Sequence, residues 1–126
     1  MYCWYYYSTT SYGASWKGAH EFYEYVNNNL PSYWGMHFDL ITYDTSTQYM
    51  DTTKVQTGDI IFADWQNDGF IDHTMIVTDK TANSYAGIKV SYQNSEGYLK
   101  RKNRPLSEIN SSYSMFYVYR PTFYRN

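Results

Sequence analysis

The sequence contains a single cysteine, Cys3, among its 126 residues. One thiol cannot form a disulfide within the chain, and it cannot supply a zinc site that needs several cysteine ligands. Long apolar runs are also missing, because no window approaches the ~18 residues of a membrane-spanning helix. The first residues have no basic segment and no cleavage site of a secretory signal peptide. We therefore expect no internal disulfide, no membrane span and no signal peptide in this chain.

An excess of positive charge is missing as well. The formal net charge is -2 and the isoelectric point is near 5.8, which gives no basic surface for nucleic acid and excludes nucleic-acid binding. One local exception is the run from Lys100 to Arg104, which we interpret as a solvated loop or strand end. The oligomeric state cannot be read from composition or charge.

Metal-ligand patterns are weak in this sequence. His20, His37 and His73 have no spacing that indicates a shared metal. The segment Asp64–Gly69 has some character of a calcium loop, but Met75 stands where such a loop needs a bidentate glutamate. We interpret the segment as a hairpin turn and predict no metal and no cofactor.

Aromatic residues, by contrast, are abundant: 17 Tyr, 6 Phe and 4 Trp. The core must therefore be built largely from rings, and tyrosine keeps a hydroxyl that needs a partner or water. This composition is compatible with an aromatic groove that binds sugar or peptide. Tyrosines at half-buried strand positions also explain it, and we favour this explanation.

The N-terminal half has one helix signal. Ser15 is a plausible N-cap, and the apolar residues that follow recur at spacings of three and four on one face of an amphipathic helix. These residues are Trp16, Ala19, Tyr23, Val26 and Leu30. Residues 1–14 are interpreted as an extended loop, and residues 31–57 as turn-rich, with Phe38 to Tyr43 as a possible short element.

The C-terminal half is rich in strand signals. Residues 58–78 are predicted to form an antiparallel hairpin, because two β-rich runs flank the turn signal Asn67-Asp68-Gly69. Further strands are predicted from Ile88 to Tyr92 and from Met115 to Tyr119, the last ending before Pro121. The expected fold is α+β, with an antiparallel sheet of about four to five strands and one N-terminal helix. A length of 126 residues fits a single domain over residues 1–126.

His73 is the focal residue for chemistry. Side chains alternate along a strand, so Ile71, His73, Met75 and Val77 share one side. A histidine in an otherwise apolar row needs partners for its ring nitrogens. From position alone, a structural histidine and a functional one both remain open.

A resemblance favours the functional interpretation. The run Gly58-Asp59-Ile60-Ile61, a short turn, and then Asp72-His73-Thr74-Met75 resemble the family described as putative amidase domains. That family is a branch of the papain-like superfamily, akin to CHAP and NlpC-type cell-wall hydrolases. The similarity continues through Trp4-Tyr5-Tyr6 upstream and through Val90-Ser91-Tyr92 downstream, so it covers most of the chain.

The resemblance implies a role for His73. In the family this histidine is the general base that takes the proton from a cysteine thiol, because the thiolate attacks the amide carbonyl. A third polar residue orients the imidazole from the following strand. At the position where the family often has a histidine, this chain has Gln93, followed by Asn94. Either amide can accept a hydrogen bond from His73, although two polar residues at a strand end would look the same.

The nucleophile segment of the family has no counterpart in these residues. Members place the cysteine at the start of a helix, where the helix dipole favours the thiolate. Cys3 instead precedes Trp4-Tyr5-Tyr6, which matches a stretch after the nucleophile helix, so we keep it only as a weak candidate. We expect the chain to represent the C-terminal, histidine-bearing part of such a domain, partial at its N-terminus.

Two functions follow from these observations. The first is a cysteine amidase or peptidase acting on peptide amide bonds, with bacterial cell-wall peptides as substrates, inactive as this chain because the nucleophile is missing. The second is a non-catalytic module whose aromatic groove binds glycan or peptide. In both, the partner is a peptide or peptidoglycan-like ligand, and the family resemblance implies a secreted or cell-surface location.

Overall fold

The computed structural model of the chain describes residues 6–8, 11–12, 20, 23–24, 26, 36–93, 100–109 and 114–123. The chain divides into two compact units. The larger unit comprises Leu40–Arg120, and the smaller one combines Met1–Asp39 with Pro121–Asn126. Among the described residues, no helix has the length and apolarity needed to span a membrane.

The described residues form mainly β-structure. In chain order the strands are β1 (Tyr6–Ser8), β2 (Ser11–Tyr12), β3 (Met36–Tyr43), β4 (Ile60–Asp64), β5 (His73–Lys80), β6 (Ile88–Gln93), β7 (Lys100–Pro105) and β8 (Met115–Phe123). β1 and β2 pair with each other in a two-stranded sheet. The other six form one sheet in the order β3, β8, β4, β5, β6, β7. β4 pairs antiparallel with β5 and β8, and β6 pairs antiparallel with β5 and β7.

One face of this sheet carries the hydrophobic core of the larger unit. Ile61 of β4 pairs with Met75 of β5 on one side and with Val118 of β8 on the other, and all three are buried. The core cluster consists of Met50, Val55, Ile61, Ala63, Met75, Val77, Ile88, Val90, Leu106, Phe116 and Val118. Because side chains alternate along a strand, this periodicity places His73, Met75 and Val77 of β5 on the core side.

The predicted hairpin of residues 58–78 is confirmed. β4 and β5 pair from Ile60 opposite Ile76 to Ala63 opposite His73. Asn67 and Gly69 have positive φ angles of 53° and 84°, the left-handed conformation that asparagine and glycine tolerate best. The turn signal therefore predicted the location of this connection.

The predicted α+β class is wrong. The described residues His20, Tyr23, Glu24 and Val26 of the predicted helix are helical, but the described chain has no helix of seven residues or more. The sheet also has six strands rather than four to five. The physical reason is that a segment with weak local strand signals can still form a strand when it pairs with strands distant in sequence. Tyrosine, which is abundant in this chain, favours strand positions.

Two strands extend beyond the bounds predicted for them, and strands also occur in stretches interpreted as loops or strand ends. β3 extends over Met36–Tyr43, and β8 continues through Pro121 to Phe123 instead of ending before it. The run from Lys100 to Arg104 belongs to β7, at one edge of the sheet. An edge strand accommodates charged side chains because they can extend into solvent. In the smaller unit, β1 and β2 lie within the stretch predicted as an extended loop.

The Gly58-Asp59 motif has a structural explanation. Gly58 has a φ angle of +94°, and the buried Asp59 carboxylate pairs with Arg120 of β8 through two hydrogen bonds of 2.8 and 3.0 Å. The same carboxylate accepts the Gln56 amide at 2.8 Å, and Arg120 also donates to the Lys54 carbonyl. The motif thus anchors the start of β4 to β8 and to the segment before it.

Candidate functional site

His73 is the first residue of β5 and lies opposite Ala63 of β4. It is half-buried, on the side of the sheet that carries Met75 and Val77. Its Nε2 atom is buried. The predicted alternation of β5 therefore places the imidazole at the end of the core-facing row, next to the hairpin turn.

Two aromatic rings flank the imidazole. The Trp65 indole is stacked beside it, with ring centroids 6.2 Å apart and an interplanar angle of 29°. Tyr92 of β6 meets it edge-on, with centroids 5.1 Å apart and planes at 89°. Both distances lie within the range of favourable aromatic pairs. Trp65 also meets the buried Phe116 edge-on at 6.3 Å, which ties this side of His73 to the core.

Asp72, the residue before His73, stabilises the hairpin through hydrogen bonds. Its Oδ2 atom accepts the backbone N–H of Trp65 at 2.8 Å, and its own amide donates to the Ala63 carbonyl at 2.8 Å. These two bonds close the end of the β4–β5 ladder. The Asp-His pair seen in the sequence therefore fixes the backbone that carries Trp65.

Three carboxylates come together at this turn. Ligand atoms of Asp64, Asp68 and Asp72 lie within 4.8 Å of one another. Asp64 is buried and accepts the amides of Asp68 at 3.1 Å and Gly69 at 2.8 Å, and Asp68 accepts the Phe70 amide at 2.9 Å. Carboxylate oxygens are ligands that Ca²⁺ prefers, but these carboxylates hold the turn through amide hydrogen bonds. This agrees with the interpretation of the segment as a hairpin turn.

The remaining predicted site residues are only partly described. Gln93 ends β6, where it pairs with Lys100 of β7, but its side chain lies outside the described residues, as do Asn94 and Cys3. The proposed third-residue role of Gln93 or Asn94 and the weak nucleophile role of Cys3 therefore stay predictions. In the smaller unit, the Nε2 atom of His20 lies 3.1 Å from Oε1 of Glu24. The His20 and Tyr23 rings have centroids 6.1 Å apart.

Sequence reasoning missed Trp65 and Tyr92 as neighbours of His73. Both belong to segments recognised as strands or strand ends, and Tyr92 was part of the family resemblance. The β5–β6 register pairs Ile76 with Ser91 and Val77 with Val90. Because side chains alternate along both strands, this register places Tyr92 on the same face of the sheet as His73. Without the register, no local signal distinguishes Tyr92 from the other tyrosines.

A second polar cluster lies elsewhere in the larger unit. The buried Asp44 carboxylate accepts the amides of Met50 at 2.8 Å and Phe116 at 3.0 Å, and it also accepts the Tyr85 hydroxyl. Burial, together with the hydrogen bond to Asp44, raises the pKa of the Tyr85 phenol well above its ordinary value. Tyr85 in turn meets Tyr49 edge-on at 5.9 Å, and Tyr49 is 81% exposed. Sequence reasoning did not single out this cluster.

Comparison with known proteins gives one match. A family model described as Putative amidase domain matches residues 1–119. A search of curated proteins and a search of solved structures each found no match.

Proposed function

Because the chain belongs to the Putative amidase domain family, we propose that it is a cysteine amidase or peptidase-type domain with His73 as its general base. The family is one of hydrolase-like domains that cleave amide bonds. The observation that carries the proposal is the position of His73, whose imidazole is half-buried between Trp65 and Tyr92 with Nε2 buried. A general base gains from such a setting because its orientation is restricted and bulk water is excluded.

The finer features of this proposal come from the resemblance in sequence. We propose a papain-like domain related to CHAP and NlpC-type hydrolases, spanning residues 1–126 as one domain. Its substrates are peptide amide bonds of bacterial cell-wall peptides, and its location is secreted or cell-surface. Gln93 or Asn94 supplies the polar group next to His73. None of these features needs a metal or a cofactor.

We further propose that the 126-residue chain does not turn over peptide substrate by itself. The base and the nucleophile of such a pair must lie within about 2.6 to 3.2 Å of each other. Cys3 is the single cysteine of the sequence, and it precedes Trp4-Tyr5-Tyr6, which by the resemblance matches a stretch after the nucleophile helix of the family. In a serine protease, loss of the nucleophile costs about as much as loss of the whole triad, roughly 10⁶ in turnover. The base alone therefore leaves little activity.

The proposal is tested by combining a turnover assay with a binding measurement. A peptidoglycan stem peptide is incubated with the chain, and products are followed by mass spectrometry. Amide resonances of His73, Trp65 and Tyr92 are followed by NMR as the same peptide is added. We expect no product, together with binding that shifts these three resonances and weakens in His73→Ala. The matched control is His20→Ala, which removes a histidine of the smaller unit and should leave binding unchanged.

Two results would contradict parts of this proposal, the first its inactivity and the second its peptide-binding site. Product formation that disappears in both Cys3→Ala and His73→Ala would show that the chain is an active enzyme with Cys3 as nucleophile. If stem peptide at millimolar concentration shifts none of the three resonances, the proposed peptide-binding site at His73 is contradicted.

Exposed aromatic rings support a second candidate, a non-catalytic binding module. Tyr49 is 81% exposed and packs edge-on against the half-buried Tyr85, an arrangement that offers ring faces to a sugar or peptide. In this case binding should depend on Tyr49 and not on His73. Glycan chains without stem peptide distinguish the two functions: glycan binding that is lost in Tyr49→Ala and retained in His73→Ala favours the module.

A further inference from the structure

Trp65 and Tyr92 leave the His73 ring little rotational freedom. One neighbouring plane is inclined by 29° to the imidazole and the other by 89°. The χ2 torsion of histidine is intrinsically broad, so the backbone alone does not fix the ring plane. Rotation about χ2 would bring the imidazole against the Trp65 face or change the edge-on contact with Tyr92. A rotated imidazole would therefore change its contacts with both rings.

The backbones of both flanking residues are held in place, and the Trp65 indole also packs on the core. The Trp65 amide donates to Asp72 Oδ2 at 2.8 Å, and the indole packs against the fully buried Phe116. Tyr92 lies in β6, which is paired on both sides by β5 and β7, and Tyr92 itself lies opposite Arg101. Supporting contacts of this kind are what a positioned base needs, and here they hold the backbone from which both rings reach His73.

We propose that Trp65 and Tyr92 are positioning residues that orient the His73 imidazole by ring packing. This inference rests on the proposed role of His73 as general base. In the related triads a polar side chain orients the imidazole by a hydrogen bond. In this chain two aromatic contacts restrict the ring in addition to the polar group proposed for Gln93 or Asn94, and Asp72 contributes indirectly because it holds the backbone of Trp65.

The inference is tested on the free protein with Trp65→Leu and Tyr92→Leu, which remove one ring each. Trp65→Phe and Tyr92→Phe keep an aromatic ring and serve as conservative variants. The matched control is Tyr43→Leu, which removes one ring of the Tyr43–Tyr117 pair, at a similar centroid distance of 6.1 Å. Circular dichroism identifies any variant that fails to fold.

Two readouts report on the ring of His73. NMR cross-relaxation between its ring protons and the rings of Trp65 and Tyr92 measures orientation directly. Modification by diethylpyrocarbonate, followed at His73 by mass spectrometry, measures access to the buried Nε2 atom. We expect each leucine variant to react roughly two- to tenfold faster, the range that corresponds to one lost aromatic pair. The remaining ring contact should also weaken, because the imidazole then samples more than one orientation.

The phenylalanine variants and Tyr43→Leu should retain the wild-type rate and ring contacts. Unchanged cross-relaxation and unchanged modification in a folded leucine variant would overturn the positioning role. If Trp65→Leu does not fold, Tyr92→Leu decides the question by the same criteria. These readouts need no turnover, so their failure is separate from a failure of the proposed function, which the stem-peptide measurements decide.

Discussion

Two arginines of the larger unit form ion pairs in very different surroundings. Arg120 pairs with Asp59, whose side chain is only 1% exposed, whereas Arg104 pairs with Glu108 and both of those side chains are more than 40% exposed. Burial removes the water that would otherwise solvate a lone charge. The two pairs should therefore contribute very differently to stability.

We predict that Arg120→Met lowers the free energy of unfolding by about 3 kcal/mol, because it leaves the Asp59 carboxylate buried without its guanidinium partner. Methionine keeps an apolar stem of similar length, so little packing is lost. The control Arg104→Met should cost much less than Arg120→Met, since an exposed pair contributes little. Urea unfolding followed by tryptophan fluorescence measures both values. Equal losses in the two variants would contradict the structural role of Asp59.

The Tyr85 hydroxyl should contribute to the stability of the fold. We predict that Tyr85→Phe lowers the free energy of unfolding by about 1–3 kcal/mol, because the buried Asp44 carboxylate loses a donor. The control Tyr49→Phe keeps the ring that packs on Tyr85 and removes a hydroxyl from a residue that is 81% exposed. It should change stability by no more than about 0.5 kcal/mol. A Tyr85→Phe variant as stable as wild type would show that water replaces the lost donor.

At the scale of elements, the β4–β5 turn depends on backbone conformation. Gly69 has a φ angle of +84°, and a Cβ added there would meet no atom within 4 Å. We predict that Gly69→Ala costs about 1–2 kcal/mol, the penalty of a left-handed conformation for a residue with a side chain. Asn67→Gly, at a φ angle of 53°, is the control and should be neutral or slightly stabilising. Thermal unfolding of both variants measures the difference, and a neutral Gly69→Ala would mean that the turn adopts another geometry.

For the whole molecule, the raised pKa of Tyr85 predicts a loss of stability in alkali. In the unfolded chain the phenol ionises near its ordinary pKa of 10.0, whereas in the folded chain burial and the Asp44 hydrogen bond keep it protonated. Above that pH the folded state binds more protons than the unfolded state, so the free energy of unfolding falls as pH rises. The stabilisation is fully present below pH 10.0 and is lost as pH rises toward the folded pKa.

We therefore predict that the stability difference between wild type and Tyr85→Phe is largest near neutral pH and shrinks above pH 10.0. Urea unfolding of both proteins at neutral pH and at alkaline pH measures this difference. A difference that stays constant across the range would show that Tyr85 ionises equally in the folded and unfolded chains.

The sequence by itself determined the parts of this protein that depend on neighbouring residues. The hairpin turn at Asn67 and Gly69 and the strand that begins at Ile88 follow from local turn chemistry and β-propensity, and the structure confirms them. The family was also readable from the sequence, because the Gly58-Asp59 run, the short turn and the Asp72-His73 run resemble the pattern of the family. The family match over residues 1–119 confirms it.

Tertiary structure alone decided the fold class and the surroundings of His73. Asp59 and Arg120 are 61 residues apart in sequence, and Asp44 and Tyr85 are 41 apart, so no local pattern could join them. The basic run in β7 is a strand because β6 lies beside it, although its own residues indicate solvent exposure. Trp65 and Tyr92 flank His73 only because the register of three strands brings their rings to one face. Such pairings arise from long-range burial and hydrogen bonding, which local propensity does not encode.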